Sequence, residues 1–180
     1  MQNRFAIAIF VIGILECVVL LLIALSTTPE NAAGLAHADF AGMRIGGDGM
    51  ARFLPVADYA FVFQALVLVQ CYCLIALGVS HDRKDAPFLG WLAGCLALAL
   101  LVWWQIFDAY RDFLDSGETT YFAGFPVATA WQVYGIWLAG VGLVLLYVIG
   151  FRRFIWSIDD ERAFAALVTE YSEKPPEDKG

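Results

Sequence analysis

Charge is what this sequence has least of. Asp, Glu, Lys and Arg together make up 16% of its 180 residues, and only two residues are histidine. The 11 basic residues are outnumbered by 18 acidic ones and form no patch, which excludes a nucleic-acid surface. His37 and His81 fall in loops on opposite sides of the long apolar runs, so they cannot jointly hold a haem between helices. The four cysteines, Cys17, Cys71, Cys73 and Cys95, all lie inside apolar runs and read as small buried apolar residues. Cys71 and Cys73 are two apart, so on a helix they point to different sides and do not make a redox pair. Gly46-Gly47-Asp48-Gly49 lacks the Lys and the following helix of a phosphate-cradling loop. No cluster of His, Cys or carboxylates offers catalytic chemistry. The expectation is a protein without enzymatic activity, without a metal site and without a cofactor.

What the chain does have is long apolar runs. Hydrophobic residues are 61% of the sequence, there are six Trp, and the mean hydropathy is +0.69. Runs at about 5–26, 57–80, 87–107 and 127–150 each approach or exceed the ~20 residues a helix needs to cross a hydrocarbon core of ~30 Å. The expected fold is an all-α integral membrane protein with a four-transmembrane-helix bundle over 1–156. A cytoplasmic amphipathic helix and a disordered tail are expected over 157–180. The connections of 30, 6 and 19 residues leave no room for a separate soluble domain. A cleavable signal peptide is the rival reading of the first run, with Ala36-His37-Ala38 as the small-residue pattern. That run is longer than a signal peptide's apolar region and is broken by Glu16, so it is read as a span.

Placing the N-terminus inside puts Arg4, Arg83, Lys84, Arg152, Arg153, Arg162, Lys174 and Lys179 in the cytoplasm and only Arg44, Arg52 and Arg111 outside, which predicts an N-in, C-in topology. Asp108, Asp112, Asp115 and Glu118 then make the outer surface acidic. Residues 27–56, rich in Ala and Gly, read as an irregular outer loop that is too apolar for a plain linker. The short turn around Pro87 predicts a closely packed antiparallel pair of spans two and three. Trp103, Trp104, Trp131 and Tyr134 are expected to anchor the outer interface. Gly90 and Gly94, spaced G-x-x-x-G, and Gly135 and Gly140 are expected to let helix backbones approach, within the chain or against another subunit.

In the tail, Ser157 precedes Asp159, Asp160 and Glu161 as an N-terminal cap with acidic residues in the first turn. Phe164, Leu167, Val168 and Tyr171 follow at i, i+3, i+4 and i+7, and Pro175-Pro176 is the expected stop. The acidic polar side favours docking on a protein over binding to anionic lipid. Within the spans, Glu16 carries a charge that costs ~2.5 to 3.5 kcal/mol at mid-membrane on insertion scales. Glu16, Gln64, Gln70 and Gln132 are expected to form an intramembrane polar cluster, with Glu16 hydrogen-bonded to an amide, handling an ion, or facing a partner.

Gly124-Phe125-Pro126, Trp131, Gly135, Tyr147, Arg153 and Asp159-Asp160-Glu161 resemble the last span of the small membrane subunits that accompany certain bacterial sodium:solute symporters. The likeness covers about 40 residues, and such subunits have two spans rather than four. It implies a non-catalytic companion of a larger permease in a bacterial inner membrane. The architecture therefore points first to an accessory subunit whose partners are the bilayer and a larger membrane protein. The alternatives are a self-contained oligomeric transporter or channel using Glu16, and a small subunit of a respiratory or quinone-linked enzyme.

Overall fold

A computed structural model of the chain describes residues 2–28, 33–46 and 49–173. Its main helices are α1 (Gln2–Leu25), α3 (Ala57–Gly78), α4 (Ala86–Ser116) and a composite fourth span, Val127–Ile155. All four are long and apolar enough to cross a membrane, as the hydropathy pattern predicts. The fourth span runs as α5 (Val127–Ala130), a π turn at Trp131–Gly135, α6 (Ile136–Gly150) and a second π turn at Phe151–Ile155.

The spans pack largely in chain order: α1 along α3, α3 against α4, and α4 against α5, the first π turn and α6. That makes α4 the centre of the molecule. Two indoles tie it to its neighbours: Trp103 Nε1 donates to the Phe61 carbonyl of α3 at 3.1 Å, and Trp91 Nε1 to the Gly142 carbonyl of α6 at 3.0 Å. All four spans meet at one end in a core of Tyr72, Ala76, Phe88, Leu92, Cys95 and Leu146, with Phe5 of α1 and Phe154 packed onto it. We call this the turn end, because the 3₁₀ turn His81–Arg83 and the start of α4 lie there. Asp85 caps α4 by accepting from the Phe88 N–H at 2.9 Å, with Pro87 in the first turn.

At the opposite end, the hairpin end, the structure departs from the sequence reading in three places. α4 does not stop at 107 but continues to Ser116 and ends on Gly117 at φ +71, whose N–H bonds the Phe113 carbonyl. The apolar run ends where lipid would end, but the helix outlasts it because Phe107 and Tyr110 still pack on Phe53. The following connection is ordered as a two-stranded hairpin, β3 (Tyr121–Phe122) with β4 (Phe125–Pro126), turning on Ala123 at φ +49 and Gly124 at φ +86. Residues 27–56, read as irregular, contain the antiparallel pair β1 (Leu35–Ala36) and β2 (Arg44–Ile45) and the short helix α2 (Gly49–Phe53). Gly34 is obligatory there, since a Cβ would stand 2.5 Å from the Ile45 carbonyl oxygen. Parts of that loop, the Pro175-Pro176 stop and the tail beyond it lie outside the described residues.

Candidate functional site

The expected polar cluster divides in two. Glu16 of α1 faces Gln70 of α3, whose amide nitrogen lies 2.8 and 2.9 Å from the two carboxyl oxygens once the amide is turned so that donors meet acceptors. Gly13, one turn before Glu16, makes room: a Cβ there would stand 3.8 Å from the end of the Gln70 amide. Both side chains are half-buried, so the pair sits at the α1–α3 seam with one side toward lipid. Gln64 and Gln132 are elsewhere. Gln64 lines a cleft between α3, α4 and α6, Gln132 lines an adjoining one near the hairpin end, and neither hydrogen-bonds another described residue.

The glycines also separate. A Cβ on Gly135 would meet Val102 at 2.9 Å and Trp131 at 2.8 Å, so this glycine sets the approach of the fourth span to α4. Gly142, where a Cβ would stand 2.7 Å from Cys95 Sγ, does the same about two helix turns further along. Around Gly90, Gly94 and Gly140 nothing lies within 4 Å of a Cβ, so within this chain they bring no backbone close. Gly90 and Gly94 are exposed on α4, on a face they share with Ala86, Ala93 and Ala97 and with the larger Pro87 and Leu101.

The aromatic residues expected at the interface are placed as follows. Trp103 is half-buried and stacked on Phe61, centroids 6.0 Å apart and planes 13° apart, so it joins helices as well as marking a depth. Trp104 is exposed. Trp131 is half-buried at the first π turn, and Tyr134 packs edge-on to Phe122 and Phe125 of the hairpin. Sequence reasoning missed this hairpin contact; aromatics flanking Ala123-Gly124 were the available signal.

The turn end carries the strongest electrostatics and was also missed. Arg83 Nη1 donates to the Ile155 carbonyl at 2.7 Å, and its other nitrogen bonds the Asp160 carboxylate. Arg152 pairs with Glu161 at 2.6 Å, and Arg153 with Asp85. These bridges fix the start of the last helix, α7 (Ile158–Glu173). Its first turn closes on itself as the sequence predicts, with Ser157 N–H and Oγ both donating to Asp160 at 2.8 and 2.9 Å. The Ser157 amide, then Arg83, hold the Asp160 carboxyl below its ordinary range; the Phe88 amide, then Arg153, do so for Asp85. Beyond this clamp α7 leaves the bundle: Phe164, Leu167, Val168 and Tyr171 remain 57, 54, 52 and 78% exposed. Trp156, edge-on to Phe164, is the aromatic contact at its base.

Among the described residues no group of three or more His, Cys, Asp or Glu is placed to hold a metal ion. No protein family matches the chain, and neither a curated protein nor a solved structure matches it.

Proposed function

We propose that this protein is an accessory subunit of a larger complex in a bacterial inner membrane, with a solute permease as its partner. The observation that carries the reading is α7. Its apolar stripe is left open to solvent, yet its base is clamped by Arg83 and Arg152 from two separate elements. An apolar stripe of four large residues is unfavourable in water, and a helix fixed in advance loses less entropy when it binds. The open small-residue face at Gly90 and Gly94 supports the same reading from within the bilayer, because small residues let a neighbouring helix approach. The basic residues gathered near the turn end favour that end as cytoplasmic, which puts α7 on the cytoplasmic side. The short resemblance to symporter-associated subunits favours a permease over other partners.

The test is isolation through a C-terminal tag after gentle solubilisation of native membranes, followed by mass spectrometry of what remains bound after size exclusion. The expected result is one larger polytopic membrane protein at fixed stoichiometry, lost when Leu167→Glu and Val168→Glu are combined while the chain stays in the membrane. A chain recovered alone or only as a homo-oligomer refutes the reading and promotes an autonomous transporter.

A further inference from the structure

Along α4, between α3 and the fourth span, runs a cleft that the packing leaves unfilled. Its deeper part has a volume of about 350 Å³, with Val102 and Trp103 as floor, Gln64 and Tyr72 on the α3 wall, and Ile136 and Gly140 on the other. A second part, about 330 Å³, shares Trp103 and Ile106 with the first and extends to Thr129 and Gln132 near the hairpin end. From Ala128 to Leu143 the lining follows the fourth span for a rise of about 22 Å, well over half of a ~30 Å hydrocarbon core. Cys71 and Ile136 on its rims are exposed, so the cleft opens sideways into lipid.

We propose that this cleft holds one acyl chain of a bilayer phospholipid, with the glycerol ester groups toward Thr129 and Gln132. Three features select that occupant. The walls are overwhelmingly apolar, which disfavours water. Volumes of about 330 and 350 Å³ are too small for a helix, whose cylinder with side chains is about 10–12 Å across, whereas a flexible chain fits a long cleft of this volume. Finally, Gln132, exposed at the mouth of the cleft, donates to no other described residue, and ester carbonyls at that depth are acceptors of the kind it lacks. Phospholipid is also the molecule that the bilayer supplies in largest excess, so it occupies such a site by mass action.

Gly140 makes the proposal testable, because it lines the cleft and a Cβ there meets no protein atom within 4 Å. The experiment is native mass spectrometry of the full-length protein released from mild detergent micelles. The wild type is expected to retain one phospholipid per chain. In Gly140→Phe the retained fraction is expected to fall by about tenfold or more, since the ring takes up space beside Ile136 and Val102 that the acyl chain would fill and removes its packing contacts there. Gly94→Phe, on the exposed face of α4, is the control and keeps the lipid. Gln132→Leu, which adds no bulk to the deep end, is a second variant expected to weaken retention if Gly140→Phe fails to fold. Absence of a bound lipid in the wild type, or equal retention in both cleft variants and the control, overturns the proposal. A stoichiometric isoprenoid quinone in its place overturns the phospholipid assignment.

Discussion

Replacing Gly135 with Ala sets two effects of opposite sign against each other. Alanine in place of glycine in a helix interior is favourable by roughly 0.5–1 kcal/mol, through reduced backbone entropy in the unfolded chain. The new methyl would stand 2.8 Å from Cε3 of Trp131 and 2.9 Å from Cγ1 of Val102. Neither neighbour yields easily. Val102 is buried on the central helix and β-branched, and Trp131 is held in the first π turn. Overpacking of that kind costs about 1–3 kcal/mol, and with two neighbours crowded below 3 Å steric crowding wins, for a net loss of up to about 2.5 kcal/mol. Gly94→Ala is the internal reference, since its methyl meets nothing of the chain and only the favourable term remains. Reversible unfolding in mixed micelles, followed by far-ultraviolet circular dichroism, measures both. The expected order of stability is Gly94→Ala, wild type, Gly135→Ala; equal midpoints for the two variants would refute the packing argument.

Two further outcomes follow from the paired groups. Gln70→Leu leaves the Glu16 carboxyl without its amide, and a double-mutant cycle with Glu16→Leu is expected to give a coupling of about 0.6–1.7 kcal/mol, the scale of interhelical hydrogen bonds in membranes; a coupling of zero refutes the pairing. Asp160 and Asp85 have folded-state pKa values below those of the unfolded chain. Their contribution is therefore complete above the ordinary carboxylate pKa of about 3.9 and is lost only as the pH falls through the lower folded values. Protease access to the 155–158 junction, read after brief exposure to each pH, is expected to be flat from pH 7 to 5 and to rise only below about 4; release between 7 and 5 refutes the carboxylate clamp.

Element existence was legible from hydropathy because the bilayer demands it: three of the four span starts fall within one residue of the runs, at Ala57, Ala86 and Val127. The ends were less legible, since hydropathy reports where lipid stops and not where a helix stops. α4 passes Asp108, Arg111 and Asp112 without breaking, because its Phe107 and Tyr110 face Phe53 while the charges face out. The pairing of Glu16 with an amide was also legible, but not the division of the cluster. Gln64 and Gln70 are six residues apart, and on a 3.6-residue helix that spacing sends them to different faces, toward the cleft and toward α1. The Gly90 and Gly94 spacing puts two small residues on one exposed face of α4, which no described helix of this chain approaches. The Arg83 clamp left no signal of its own, since it joins residues more than 70 positions apart.

The two ends of the molecule are built to different standards of completeness, and that difference bears on how it works. At the turn end four spans share one core, and Arg83, Arg152 and Arg153 each reach a carboxylate on another element, while the buried Lys84 ammonium, 5.5 Å above the Phe5 ring, has no hydrogen-bond partner among the described residues. Toward the hairpin end α3 and the fourth span stand apart over α4, leaving the cleft. In lipid there is no escape from water to close such a gap, so the proposed lipid would complete it. On the proposed accessory role, the turn end would supply a helix whose base is already clamped before a partner arrives. The open end supplies contact with the surrounding bilayer. A cleft filled by lipid would therefore support α4 from one side while leaving its Gly90 and Gly94 face free for a neighbouring helix, so that lipid and partner need not compete for the same surface.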